Sequence, residues 1–335
     1  MILVTGGTGL VGSHLLYKLA SDKKKIKAIY RSEHKLEVVK KVFSYYTDNV
    51  DSLFNSIEWV KTDLLNVPDL DDAFKNITYV YHCAALVSFD PNDYLTLKRT
   101  NTQGTTNIVN LCLAHDIKKL CYVSSIATLG ESLTNDPVTE ETYWNPEEDN
   151  NVYAITKYGA EMEVWRGTQE GLNAVIVNPG VILGAGNWSQ GSGNLFKRVY
   201  KNLKYYTNGI TGFIDVNDVV NIMIALMQSD VKNKSYILIA EHWSFKHVLQ
   251  TIAKELGVKP PTKAIQPWQA QLGWRLDWLQ HGLTGKKRIL SKQVAQTINT
   301  KSTYSTEKIT SLLHYKWTPI EDSILAISKQ FKNEN

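Results

Sequence analysis

Cysteine is scarce: Cys83, Cys112 and Cys121 are the only three in 335 residues, and none stand in CxxC spacing. A disulfide framework or a cysteine-based zinc site is therefore not expected, and a reducing cytosol fits. Long apolar runs are lacking as well. No stretch reaches the roughly 18 uncharged apolar residues that a membrane-spanning helix needs. The opening Met1-Ile2-Leu3-Val4-Thr5 has no basic-then-apolar leader, so no secretory signal is expected. Charge of one sign is also short: 37 Lys and Arg face 33 Asp and Glu, a net charge of +4. Nucleic-acid binding normally calls for a concentrated basic face, which this balance does not supply. There is no internal repeat and no low-complexity tract. What remains is ordinary globular composition, 43% hydrophobic and 21% charged, which excludes disorder as a whole-chain description. The length suggests two structural units, or one large unit with an appended lobe.

The first half alternates short apolar runs with amphipathic stretches. Residues Ile2–Thr5, Ile26–Tyr30, Ile57–Lys61, Tyr79–Cys83, Leu120–Ser124 and Ala174–Asn178 read as buried strands, rich in β-branched and aromatic residues. Between them, Val11–Leu19 and Gly104–His115 place apolar residues on one helical face. This alternation predicts an α/β fold: a doubly wound parallel sheet of about seven strands, with helices on both faces. After Pro179 the pattern loosens. Residues 184–193 form a glycine-rich loop whose composition suits a lid, and Ser235–Ala240 rejoins the sheet. From about Glu241 the chain is helical and tryptophan-rich. The expected organisation is a nucleotide-binding domain over 1–183, to which 210–240 returns, and a smaller, mostly helical substrate lobe over 184–209 and 241–335.

Thr5-Gly6-Gly7-Thr8-Gly9-Leu10-Val11-Gly12 joins the first strand to the first helix. It satisfies G-x-x-G-x-x-G through Gly6, Gly9 and Gly12, and G-x-G-x-x-G through Gly7, Gly9 and Gly12. Small residues are needed here for a tight turn, for approach to a pyrophosphate, and for close helix–strand packing. The helix N-terminus then offers N–H groups and positive dipole to the phosphates. The second strand ends in Tyr30-Arg31-Ser32, with no carboxylate at the strand end. A guanidinium there suits a 2′-phosphate, so NADP is expected over NAD; Glu33, which could reach back, is the competing feature. Asp63-Leu64 follows the third strand. Asp63 could accept from an adenine amino group beside an apolar Leu64, or cap the next helix.

Tyr153 and Lys157 stand four residues apart, on one face of a helix. Moving a phenol from pKa 10 to about 7 takes roughly 4 kcal/mol. One ammonium at ~4 Å supplies about that much at an effective dielectric of 20. Lys157 is therefore expected to acidify Tyr153 into a general acid/base. Ser125 ends the fifth apolar strand, where a hydroxyl can hold a substrate oxygen. Strand alternation turns Ser124 to the opposite face, which favours Ser125.

Together with His82-Cys83-Ala84-Ala85, Thr100-Asn101, Gly104-Thr105 and Asn178-Pro179-Gly180, these motifs resemble the extended short-chain dehydrogenase/reductase family, in family order over nearly the whole chain. The resemblance implies a Rossmann-type sheet, a bound nicotinamide dinucleotide and a catalytic group of Ser125, Tyr153 and Lys157. It implies cofactor contacts at Gly6, Thr8, Gly9, Leu10, Val11, Gly12, Arg31, Asp63, Leu64, Ala84, Ala85, Asn101, Tyr153, Lys157 and Pro179, and no metal. It also implies homodimers through the Tyr153 helix, a cytoplasmic enzyme and a small-molecule substrate. Nucleotide-sugar 4,6-dehydratases carry an Asp-Glu pair after the serine; here Ile126-Ala127-Thr128 follows, so water elimination is not expected. Tyr30-Arg31-Ser32 and Asn178 to Gly184 are similar to the dihydroflavonol-reductase-like branch, which implies an NADP-dependent reductase of ketones or aldehydes. The alternative is a nucleotide-sugar epimerase, with Asn178 on the diphosphate and Lys197, Arg198 and Lys204 near the nucleotide. A non-catalytic dinucleotide-binding scaffold is the third reading, and it sits poorly with an intact serine, tyrosine and lysine.

In the tail, Trp268, Leu272, Leu276 and Leu279 recur at three-to-four-residue spacing, with Trp274 and Trp278 alongside and Lys286-Lys287-Arg288 following. Lobe core or the wall of an apolar pocket is the expected role, ahead of membrane contact.

Overall fold

A computed structural model of the chain describes residues 1–132, 136–285, 288 and 290–335. Its strands are β1 (Ile2–Thr5), β2 (Ile26–Tyr30), β3 (Glu58–Lys61), β4 (Tyr79–His82), β5 (Lys119–Val123), β6 (Ala174–Pro179), β7 (Val181–Leu183), β8 (Tyr205–Tyr206), β9 (Ile210–Asp215), β10 (Lys234–Leu238), β11 (Glu241–Ser244) and β12 (Lys263–Ala264). Seven of them form one sheet in the order β10-β6-β5-β4-β1-β2-β3, every neighbouring pair parallel. β6 is buried at every residue, as expected of a strand covered on both faces. The sheet is a Rossmann-like α/β fold, and the six apolar runs of the first half lie within a residue or two of β1 to β6.

Two cores cover the sheet. On one face, Leu15, Leu16 and Leu19 of the Leu10–Ser21 helix meet Val219, Ile222 and Met223 of the Val216–Gln228 helix. On the other, Leu70 and Phe74, Ile108 and Val109, and Ala160 and Val164 come from three further helices: Val67–Phe74, Gly104–Ala114 and Val152–Gln169. The strand order reverses between β1 and β4, and this is where an open α/β sheet offers its crevice.

A third core, with Leu183, Trp188, Phe196, Val248, Ile252, Ile324 and Phe331, lies in the C-terminal lobe. A second sheet, β11-β9-β7, borders it. β9 therefore pairs outside the main sheet, although the Val216–Gln228 helix and β10 that follow it return there. The Glu307–Leu313 helix also crosses back, with Ile309 buried in the first core.

Two expectations change. The glycine-rich 184–193 loop buries Ala185 and Trp188, and the Ala185 carbonyl meets His14 Nε2 at 2.9 Å, so this part is anchored to the first helix. The Pro267–Thr284 helix buries only Ala270; Trp268, Leu272, Leu276, Trp278 and Leu279 are exposed, so the stripe is not lobe core. Lys286 and Lys287 lie outside the described residues. Among the described residues, no helix is long and apolar enough to cross a membrane.

Candidate active site

The turn after β1 is shaped by its glycines. Gly6 adopts φ +69°, and a Cβ there would sit 2.5 Å from the Ala84 nitrogen at the end of β4. A Cβ on Gly12 would lie 2.2 Å from the Gly6 carbonyl oxygen, so the helix packs directly on the turn. Gly9 is the N-cap of the Leu10–Ser21 helix, and its own N–H donates to the Gly6 carbonyl at 2.9 Å. Thr8, Leu10 and Val11 surround this helix start, whose first N–H groups have no carbonyl ahead of them. The glycine cradle at the switch point thus fits a dinucleotide pyrophosphate. Gly7 is buried against Leu16, which makes Gly6-Gly9-Gly12 the working triplet.

At the ends of β2 and β3, Arg31 Nη1 lies 3.5 Å from Asp63 Oδ2, both side chains being exposed. Glu33 is engaged by Lys61 at 2.9 Å, and that ammonium holds its carboxyl below the usual range. Asp63 Oδ1 accepts from the Leu65 N–H, while the cap of the next helix is Asn66, so Asp63 is not that helix's N-cap. Leu64 is buried against Gly104, in the second core.

The wall beyond β4 is fixed from within. Asn101 accepts from the Leu86 N–H at 2.7 Å and donates to the Leu86 carbonyl and Thr156 Oγ1. Its amide therefore ties the Ala84-Ala85 segment to the Tyr153 helix. His82 is fully buried, in contact with Thr5 Oγ1 at 2.6 Å and Thr105 Oγ1 at 3.0 Å, and burial pulls its pKa down to about 3. It stays neutral and shapes the strand end.

The Val152–Gln169 helix starts cleanly because Asn151 accepts from the Ala154 N–H at 2.9 Å. It presents Tyr153, Lys157 and Glu161 at four-residue steps. Beside it, β5 runs out into Ser124 and Ser125. Ser124 Oγ donates to Glu161 at 2.5 Å, facing the helix interior. Ser125 accepts from the Ala127 N–H at 3.1 Å, and its hydroxyl lies near enough to the Tyr153 phenol to pull that phenol's pKa down. Ser125 and Tyr153 are thus brought together, with the Phe89 ring edge-on to Tyr153 at 5.7 Å.

Lys157 departs from expectation. Its ammonium donates to Tyr122 Oη at 2.5 Å and to the Val123 carbonyl at 2.8 Å, and it lies 4.2 Å from the Tyr122 ring centre. Burial pulls its pKa down to about 7, against a raising influence from Glu161. Tyr153 is not acidified in this geometry: burial raises its pKa, and only the Ser125 hydroxyl works in the other direction. Tyr122, whose hydroxyl accepts from Lys157, is the residue that sequence reasoning missed. A phenol inside a buried strand needs a partner, and that need was the available signal.

Asn178 also turns inward. It is fully buried and donates to Thr128 Oγ1 at 3.0 Å and to Glu161 Oε2 at 2.9 Å, so its amide is not offered to a diphosphate. Pro179, next to it, is buried at the end of β6. Glu161 gathers Ser124, Thr128 and Asn178 into one buried network that anchors the β5 and β6 ends. Arg198 and Lys204 are exposed, and Lys197 donates to Ser189 at 3.1 Å. Among the described residues, no cluster of side chains is set to hold a metal.

Comparison with known proteins identifies the family. Residues 2–239 match the NAD dependent epimerase/dehydratase family. A Synechocystis protein provisionally named dihydroflavonol 4-reductase is 29% identical over 274 residues, covering 79% of this chain and 75% of that one. Tetraketide alpha-pyrone reductase 2 of Arabidopsis thaliana is 26% identical, with 72% and 79% covered. UDP-glucose 4-epimerase of Vibrio cholerae is 26% identical, with 72% and 70% covered. Among solved structures, gox2253 superposes with a TM-score of 0.81 at 23% identity, over 100% of this chain and 98% of its own. MoeE5, solved with UDP-glucose and NAD, gives 0.74 at 19% identity over 99% of both chains. With its glycine cradle at the switch point and a match spanning most of its length, the chain belongs to the NAD dependent epimerase/dehydratase family and is an enzyme of that family.

Proposed function

We propose that the protein is an NADP-dependent oxidoreductase that reduces a ketone or aldehyde to the alcohol. The observation that carries this reading is the Ser125–Tyr153 pair, with its phenol pKa raised by burial. The phenol is protonated at neutral pH and so can give its proton to the oxygen of a carbonyl under reduction. A nicotinamide dinucleotide bound at this cradle would supply the hydride for the carbonyl carbon. Tyr153 gives its proton to the carbonyl oxygen, and Ser125 donates a hydrogen bond to that oxygen as negative charge grows on it. Tyr122 and the Val123 carbonyl fix Lys157 one helical turn away. The Gly6-Gly9-Gly12 cradle would hold the pyrophosphate and Arg31 a 2′-phosphate. Arg31 is held only by an exposed ion pair, the kind worth little in water, so it is open to a better anion. Glu33, tied to Lys61, is drawn away from a ribose hydroxyl.

The inward turn of Asn178 counts against the epimerase alternative, since its amide N–H groups are committed to Thr128 and Glu161 inside the protein. The test is a panel of aldehydes and ketones with NADPH or NADH, followed at the nicotinamide absorbance. NADPH consumption with at least one carbonyl class, and tighter binding of NADPH than NADH, are expected. Interconversion of UDP-sugars with no net consumption of added cofactor would overturn the reading.

A further inference from the structure

We propose that the Pro267–Thr284 helix, with the turn beside it, is a docking face for an anionic lipid bilayer and sets the mouth of the catalytic cleft against that surface. The helix is inside out. Ala270, Gly273, Trp274, Asp277 and His281 face the protein, where Asp277 accepts from the Leu290 N–H at 3.3 Å and pairs with Arg288 at 3.7 Å. Trp268, Leu272, Leu276, Leu279 and Leu283 follow one another in steps of four, four, three and four, which puts them on one face, and each is at least 50% exposed. A folded monomer rarely leaves a contiguous apolar strip of this size in water unless something covers it.

The strip is continuous with the site. His281 Nε2 is 3.4 Å from Asn92 Nδ2, and the Arg288 N–H donates to Asp90 at 3.1 Å. The segment leading into that turn exposes Val87 and Phe89, and the Phe89 ring lies against Tyr153.

Charge selects the partner. Residues 263–300 hold six Lys and Arg against the single Asp277, more net positive charge than the +4 of the entire chain. Arg275 emerges within the apolar strip, its guanidinium 4.7 Å from the Trp274 ring centre. Leucine and tryptophan facing outward, with the exposed Arg275 among them and a basic excess in this stretch of sequence, suit the headgroup region of a bilayer carrying negative lipids. A second copy of the chain across a two-fold axis would instead set this positive segment against itself. If the reductase reading holds, on which this consequence rests, the substrate is a carbonyl compound that partitions into lipid.

The test is flotation of the full-length protein with vesicles of phosphatidylcholine alone and of phosphatidylcholine with phosphatidylglycerol. The protein is expected to float with the mixed vesicles, with partitioning weakened about tenfold by high salt. Leu272→Asp/Leu279→Asp is expected to stay at the bottom, with its melting temperature and its turnover of a water-soluble carbonyl unchanged. Arg275→Glu, which removes little apolar surface, should weaken flotation in the same direction. Wild-type protein that stays at the bottom with both vesicle types would overturn the proposal. So would light scattering showing a dimer that the double variant splits into monomers. Flotation without any carbonyl turnover would leave docking standing and remove the reductase reading instead.

Discussion

At the carboxyl edge of β5 and β6, Ser124, Thr128, Asn178 and Glu161 are sealed from solvent and bonded to one another, while on the Pro267–Thr284 helix six large apolar side chains are exposed. Both regions reverse the usual assignment of polar groups to the surface and apolar ones to the core. The first reversal is held by the hydroxyls, the carboxylate and the Asn178 amide nitrogen, which find partners at 2.5–3.0 Å in a setting where an unmade bond costs most, and Asn178 Oδ1 alone of the network is left unpaired. The second has no internal compensation among the described residues. A buried polar network therefore marks what holds the site in place, and an exposed apolar strip marks what the protein meets.

Substitutions can break this comparison. Glu161→Ala removes the acceptor shared by Ser124, Thr128 and Asn178 and leaves the Ser124 hydroxyl without one, so a loss on the order of 3 kcal/mol is expected in urea unfolding; a loss below about 1 kcal/mol would mean water replaces the carboxylate with ease. Acid should act next most strongly, through His14 and His82, whose pKa values burial lowers to about 4 and about 3. The unfolded chain binds those protons near pH 6.5, so their contribution to stability is complete above that pH and is lost as pH falls toward 4 and then 3. Urea midpoints should drop by a few kcal/mol equivalent between pH 7 and pH 4, with a shallower fall in His14→Gln. Tyr122→Phe removes the phenol from Lys157 and should cost about 1 kcal/mol of stability and about tenfold in turnover. An unchanged pH–rate profile in that variant would show that the contact only packs the strand. Leu276→Ala, on the exposed strip, should shift stability by less than about 0.5 kcal/mol. A loss of 2 kcal/mol or more, the order expected of a core leucine, would show that the strip is covered within the protein itself.

Local patterns carried much of the fold in the sequence. β1 and β2 begin and end where their β-branched runs do, because a buried parallel strand has no other use for such residues. The glycine turn was legible because its backbone demands, at Gly6 and Gly12, leave no room for a Cβ. Strand alternation puts Ser124 and Ser125 on opposite sides, a one-residue geometric rule, and the two hydroxyls meet different partners, Glu161 and the Ala127 N–H. Long-range pairing was not legible. Lys157 meets Tyr122, 35 residues earlier, and Asn178 meets Glu161, so both turn inward where spacing along one helix or strand says nothing. The Trp268 stripe was legible as a stripe, but periodicity fixes only that a face is apolar; which way it points depends on Asp277 and His281 packing inward.

The central claim is that Tyr153, paired with Ser125, delivers the proton that completes carbonyl reduction. Steady-state turnover and NADPH binding of Tyr153→Phe test it most directly, because the ring and its packing on Phe89 remain while the proton is removed. Turnover is predicted to fall by about 10²–10⁴-fold with NADPH affinity within about twofold of wild type. Turnover within a few-fold of wild type would contradict it.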